Sequence, residues 1–201
     1  MIVLDVEASG LNPKADSIVS IGALDSENQE NRFYGECRVW DGAHIHDEAL
    51  AINGFTRESL SDTSKQSEGE LVADFLAWAL AIAGDRTLAA QNVSFDYSFV
   101  EAACERAEIH FPFAKRTLDV HSLVWMHMVS KGETPPLLNN HSAISLDSAL
   151  TYCGLPSETK PHNALTGALA HAEVVSRVAY NKLLLPEYST FPIPWSYKTT
   201  S

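Results

Sequence analysis

Asp5 and Glu7 stand two positions apart at the end of the apolar run MIVLDVE. In an extended strand such residues project from the same face. Both carboxylates would then lie side by side at the strand's C-terminal end, where open α/β sheets often bind ligands. Unpaired, they would repel, and one would tend to keep its proton. A divalent cation removes that penalty and suits hard oxygen ligands. Judged on these two residues alone, a pair of surface acids at a strand end is an equally good account. Asn92 and Asp96 follow a second apolar stretch, residues 87–91. Asp96 falls in the first turn of a predicted helix, where the helix dipole favours a carboxylate whatever else it does. Asn92 reads equally well as a turn residue. His162 follows Pro161 and precedes the longest helical pattern. There it would stay partly exposed and titrate near neutral pH, as a general base must. A lone loop histidine is more often inert, so the order and spacing of the whole set carry the argument.

The elements that position these residues read as strands first, then alternating helix and strand. Residues 1–7 are β-prone, and Ser9-Gly10-Leu11-Asn12-Pro13 has the chemistry of a turn. Residues 17–24 and 32–40 read as a second and third strand joined by the polar turn DSENQEN, giving a meander. Residues 42–68 are loop-rich, with a short helical stretch at 48–53. Residues 70–83 place Leu71, Phe75, Trp78, Leu80 and Ile82 at helical spacing, mostly buried. Residues 87–91 predict a short strand and 95–108 a helix. Residues 116–119 predict a final strand, followed by a helix to about 127. Residues 131–141, with Pro135-Pro136 and two asparagines, predict a loop. Residues 145–153 fit a helix ended by Gly154, and 163–184 the longest helix. This order indicates an α/β or α+β domain with a mixed sheet. The reading is one domain over residues 1–185, with a proline- and aromatic-rich extended tail over 186–201 that lies on the body or on a partner.

The chain has 201 residues and a net charge of -12, with 26 acidic against 14 basic residues. A protein that grips long duplexes through their backbone normally needs basic surface to displace counterions, so the charge argues against tight nonspecific binding. Bound cations can still neutralise an acidic site. Cys37, Cys104 and Cys153 are odd in number and form no CxxC pair, which argues against a disulfide framework or structural zinc and fits a reducing cytoplasm. The opening residues carry no basic region of a signal peptide, and the most apolar stretch, residues 75–84, is too short to span a membrane. No dinucleotide, P-loop or α/β-hydrolase motif is present. His44-x-His46, and His121 with His127, have no Cys or acid at matching spacing and read as ordinary histidines. Trp78, Trp125 and Phe99 read as core rather than base-stacking platforms.

Taken together, DVEASGL, QNVSFDYSFV and HNALTGALAHAEV resemble the three motifs of the DEDDh exonuclease family, the proofreading-exonuclease-like group. The resemblance spans roughly residues 1–180, including the TLDVHSL segment around Asp119. It implies an RNase H-like α/β fold, a five-stranded mixed sheet flanked by helices. It also implies two-metal hydrolysis of phosphodiesters from a 3′ end, releasing nucleoside 5′-monophosphates, with Mg²⁺ or Mn²⁺ as the two cations. Carried over by position, Asp5 and Glu7 would hold the metals and Asp96 would support the second. His162 would take the proton from the attacking water. Ser9, Gly10 and Leu11 would contact the terminal nucleotide, with Asn92 beside them. The implied substrate is single-stranded or short DNA or RNA with a 3′ end. A protein partner that delivers the substrate, or a homodimer, is allowed for, and no membrane is involved.

The pattern breaks in two places. Gln91 stands where the family usually has histidine, a mild polar swap. Gly167 stands five residues after His162, where the family has a metal-binding aspartate. Glycine offers no ligand and costs a helix interior about 1 kcal/mol relative to alanine. Its presence reads as decay, as an inactivating substitution, or as room made for another group. His171 lies four residues on, on the same helical face, and leans over the space above Gly167; it reads ordinarily as a polar helix-surface histidine, or else as a replacement that ligates a softer metal such as Mn²⁺ or Zn²⁺ or holds a metal-bound water. Glu173 is offset to another face. The expectation is an active or weakened exonuclease; the alternative is a catalytically silent module that binds a nucleotide, a 3′ end or a protein partner.

Overall fold

The computed structural model describes residues 1–196; Tyr197, which the sequence reading included in an interacting tail, lies outside them. β1 (Ile2–Ala8) sits at the centre of a five-stranded sheet of order β3-β2-β1-β4-β5, with β2 (Ile18–Asp25), β3 (Asn28–Glu36), β4 (Leu88–Ala90) and β5 (Leu118–Asp119). The first three strands pair antiparallel, and β4 and β5 join in parallel. This is the mixed, helix-flanked sheet that the motifs implied. β3 begins four residues earlier than the sequence suggests, because Asp25 pairs with Asn28 across a tight turn. Its first residues, NQEN, look like loop because an edge strand presents them to solvent.

The period-two alternation of β1 sorts its side chains between two cores. Ile2, Leu4 and Val6 pack against Phe75 and Leu71 of α3 (Glu68–Ala81) and Phe99 of α4 (Ser94–Arg106). Val3 faces the opposite layer, with Leu169 and Ala172 of α7 (Ala164–Tyr180). Asp5 and Glu7 continue the Val3 face, so the second layer turns from apolar to acidic toward the end of the strand. α5 (Val120–Ser130) and α6 (Leu146–Tyr152) pack on α7 through Val124, Leu150 and Val174. The start of α7 lies directly on β2: a Cβ on Gly22 would overlap the backbone of Ala164 and Leu165. Two short helices, α1 (Asp47–Asn53) and α2 (Arg57–Leu60), fill the connection from β3 to α3.

Several boundaries differ from expectation for local reasons. The 131–141 loop contains a hairpin, β6 (Leu137–Leu138) and β7 (His141–Ser142). Asn139 and Asn140 turn it at φ 50° and 63°, the left-handed region that asparagine tolerates. α7 stops at Tyr180, capped by Asn181 in the left-handed conformation. Leu80 and Trp125, expected in the core, are 46% and 40% exposed.

Of the two places open to the tail, residues 186–196 take the body of this domain, as a strap. Tyr188, Phe191 and Trp195 pack on the α5–α6–α7 core. The fully buried Arg177 guanidinium donates to the carbonyls of Cys153 (2.9 Å) and Phe191 (2.8 Å) and pairs with Glu173 at 2.8 Å. Among the described residues no helix is long and apolar enough to cross a membrane.

Candidate active site

Parallel pairing between β1 and β4 ends at Val3–Ala89, so the rest of β1 runs on without a strand on that side. Backbone groups exposed by such a splay must find other partners. The N–H of Val6 donates to Asp96 Oδ1 at 2.9 Å. The C=O of Leu4 accepts from His171 Nδ1 at 3.0 Å. Two groups that the sequence singles out, one on α4 and one on α7, thus close the open edge of the central strand, and the Val6 contact fixes Asp96 at the end of β1.

Asp5, Glu7 and Asp96 converge there, as the motif order implied. Burial, then the charges of Asp96, Glu7 and Glu158, hold the Asp5 carboxyl well above the usual carboxylate range. Glu7 is pushed up to about 7, by burial and then by Glu158. Asp96 is raised chiefly by burial, against the backbone hydrogen bonds it accepts. The charge of Glu158 thus bears on Asp5 and Glu7, an influence that the sequence pattern does not mark. Glu158 comes from the irregular segment before α7, and its carboxylate lies 3.7 Å from His162 Nδ1. His162 itself is held by its backbone N–H, which donates to Ile52 C=O at the end of α1 at 3.0 Å. Its ring remains partly exposed, as a proton acceptor requires. The donor set of Asp5, Glu7 and Asp96 is hard carboxylate oxygen at a largely buried strand end. These residues fit divalent cations.

Beside the acids opens a cleft of about 610 Å³ lined by Glu7, Gly10, Leu11, His46, Ile52 and Phe95, among others. Leu11 is 84% exposed in it, an apolar side chain offered to whatever enters. Ser9 departs from expectation. It is fully buried; its hydroxyl donates to His44 C=O at 2.7 Å and accepts from Ser17 N–H at 2.9 Å. These bonds pin the loop. Gly10 serves the same loop, since a Cβ there would overlap Asp16 and His46. Asn92 adopts φ 56° at the β4–α4 turn and its N–H points to Asp119 Oδ1 at 3.3 Å, which accounts for it as a turn residue. Asp16, His44 and His46 offer ligand atoms all within 4.8 Å of one another, so an acid does accompany this histidine pair, brought by the fold rather than by spacing. Asp16 already accepts from Asn12 N–H at 2.8 Å and lies 3.2 Å from His46 Nε2. That arrangement braces the loop wall of the cleft.

Gly167 and His171 resolve differently from the sequence reading. A Cβ on Gly167 would overlap Asp5 Oδ2 and approach its Cγ to 2.8 Å. The space above Gly167 is thus taken by the carboxylate of Asp5, and not by His171. His171 is 2% exposed, its Nδ1–H is committed to Leu4, and burial lowers its pKa to about 4. It is a neutral, structural histidine. Glu173 is fully buried on another face, bound to Arg177 and to the N–H groups of Leu184 and Leu185.

Comparison with known proteins follows the same lines. The chain matches the exonuclease family of RNase T type over residues 2–175. It belongs to that family. This exonuclease-family chain is 31% identical over 189 residues to ribonuclease T of Yersinia pseudotuberculosis, which covers 86% of this chain and 81% of that one. It is likewise 31% identical over 199 residues to ribonuclease T of Escherichia coli K12, covering 88% and 84%. Among solved structures, the nuclease domain of 3′hExo, described as a DEDDh family member bound to rAMP, superposes with a TM-score of 0.69 at 16% identity, over 92% of this chain and 93% of that one. Exonuclease I of E. coli in complex with an oligonucleotide gives 0.70 at 15% identity, over 90% of this chain and 40% of that chain. At those identities the superpositions establish the fold, and the family match establishes membership of the exonuclease family.

Proposed function

We propose that the chain hydrolyses phosphodiester bonds of single-stranded or short nucleic acid from the 3′ end, releasing nucleoside 5′-monophosphates with Mg²⁺ or Mn²⁺ as cofactor. The observation that carries this reading is the gathering of Asp5, Glu7 and Asp96 at the end of β1, beside a cleft that Glu7 lines. Asp5, Glu7 and Asp96 would hold two cations. When bound, these supply charge stabilisation to the entering and leaving oxygens of an in-line displacement. The chain's own groups do the rest. Leu11 and Phe95 give an apolar bed of the size and character that a terminal base requires. His162, partly exposed and beside Glu158, takes the proton from the attacking water. Asp96 keeps the end of β1 in register through Val6, so the carboxylates of that strand hold their positions. The net charge of -12 suits small or delivered substrates better than unaided grip on long duplexes.

The solved relatives bound to rAMP and to an oligonucleotide support the substrate class. A 5′-labelled single strand tests the direction. The reading expects a ladder shortening from the 3′ end, arrest by a 3′-terminal phosphate, and nucleoside 5′-monophosphate as product. Shortening from the 5′ end, or cutting of closed circles, would overturn it. Binding of a nucleoside monophosphate with no hydrolysis would favour the silent-module alternative.

A further inference from the structure

Asp16, His44 and His46 line the same cleft as Glu7 and Leu11, and they stand outside the carboxylate set on β1. Asp16 is the unusual member. It is 1% exposed, yet among the described residues its only ion-pair partners are the two histidine rings. Two other deeply buried acids have permanent cations beside them: Glu68 takes Arg106, and Glu173 takes Arg177. Buried charges are paired or coordinate metals, and Asp16 has no lysine or arginine among the described residues to pair with.

The backbone that carries the three side chains is cross-tied within the fold itself. His44 N–H donates to Ala15 C=O at 2.8 Å, and Ser9 Oγ donates to His44 C=O at 2.7 Å. His46 N–H donates to Ser9 C=O at 2.9 Å. Asn12 N–H holds Asp16 Oδ2 at 2.8 Å. That leaves Oδ1 turned to the rings, 3.2 Å from His46 Nε2 and 4.0 Å from His44 Nδ1. Two ligand atoms each about 2.1 Å from one ion stand at most about 4.2 Å apart, so both contacts fit a shared cation. The three ligand atoms all lie within 4.8 Å of one another. The His44 ring is exposed and has no side-chain hydrogen bond among the described residues, so it can close the remainder by rotation.

We propose that Asp16, His44 and His46 form a second metal site on the cleft wall, one that takes Zn²⁺. Two imidazoles and a carboxylate are a donor set suited to zinc, whereas the all-oxygen set on β1 suits Mg²⁺ or Mn²⁺. On binding, the proton that His46 Nε2 shares with Asp16 Oδ1 leaves to solvent, and both atoms turn to the metal. The Asn12 N–H keeps the carboxylate oriented from behind, as outer partners of metal ligands do. Three protein ligands leave a coordination position for water or for an anionic group in the cleft. The cation would also tie the loop that carries Asp16 to the segment before α1. This inference goes beyond the catalytic reading and stands independently of it.

Calorimetric titration of the full chain with Zn²⁺, in excess Mg²⁺ to occupy the acids of β1, is the test. Parent, His44→Ala, His46→Ala and Asp5→Asn are compared, with circular dichroism to verify folding and melting curves with and without Zn²⁺. The parent should bind one Zn²⁺ equivalent, and Asp5→Asn should retain it within about threefold. Each histidine variant should bind at least about tenfold more weakly, the smaller end of what even an outer partner is worth. Zn²⁺ should raise the melting temperature of the parent and not that of His44→Ala. If His46→Ala loosens the loop, His44→Ala decides alone, because that ring is exposed and its removal breaks no hydrogen bond in the fold. No Zn²⁺ binding by the parent, or parent-like binding by His44→Ala, overturns the inference. Binding lost only in Asp5→Asn assigns the zinc to the acids of β1 and overturns it equally. None of these outcomes bears on hydrolysis, which oligonucleotide degradation tests separately.

Discussion

Replacing Gly167 with alanine tests how the site is packed. In an ordinary helix interior this change stabilises by about 1 kcal/mol. Here the new Cβ would overlap Asp5 Oδ2 and lie 2.8 Å from Cγ and 3.3 Å from Cβ of Asp5, so the buried Asp5 carboxyl must move. Its space is bounded by the other acids whose charges already act on it. Overpacking of this kind costs about 1–3 kcal/mol, so the cation-free variant should fall between neutral and about 2 kcal/mol less stable than the parent. The effect on cation binding should be larger. A cation present at 100 times its dissociation constant stabilises the folded state by about 2.7 kcal/mol, and a displaced Asp5 should forfeit most of that gain. Urea unfolding of parent and Gly167→Ala, with and without Mn²⁺, measures both terms. A variant stabilised by about 1 kcal/mol that keeps the full Mn²⁺ gain would refute the reasoning, because Gly167 would then be a dispensable glycine rather than the seat of Asp5.

Further outcomes follow from the same contacts. Gly167→Asp adds the same Cβ and one more carboxylate, so nuclease assays should find it no better than the parent despite restoring the family residue. Glu7 is raised to about 7 when folded against an ordinary value near 4.3, so the folded state holds a proton that the unfolded chain has released. Stability of the cation-free protein should therefore fall as pH rises through about 4.5–7, by at most about 3 kcal/mol, and calorimetry in saturating Mg²⁺ should show that slope reduced. His171→Ala strands Leu4 C=O and opens a cavity, and should cost about 2–4 kcal/mol in urea unfolding. Arg177→Met leaves Glu173 charged and buried, and should cost about 3–5 kcal/mol. Leu11→Ala should leave stability within about 0.5 kcal/mol while raising KM for a single strand.

The candidate residues were singled out by the order of three motifs that resemble one family, since each local signal was ambiguous by itself. Asp5 and Glu7 share a face by strand period alone, and Asp96 is placed by a helix start. The helix start is also why Asp96 looks ordinary in sequence, since its distinguishing contact is with Val6 N–H, ninety residues away. Glu158 had no local signal: SETKP has no periodicity, and its segment is held by tertiary anchors on α6 and α1. Asp16 joins His44 and His46 by the same kind of tertiary approach, which sequence spacing cannot register. His171 was misread because its helical position lies above Gly167, whereas the splay of β1 from β4 decides what that ring bonds to. Glu173 and Arg177 carried a usable signal, the i,i+4 acid–base spacing, but their burial depends on a tail that sequence alone left free to lie on a partner.

The most direct test of the account is degradation of a labelled single-stranded oligonucleotide by the parent, Asp5→Asn and His162→Ala, in Mg²⁺, in Mn²⁺ and in chelator. The account predicts mononucleotide release by the parent in either cation, none in chelator, and a loss of at least about a hundredfold in each variant. Degradation that survives chelator, or that Asp5→Asn and His162→Ala leave intact, would contradict it.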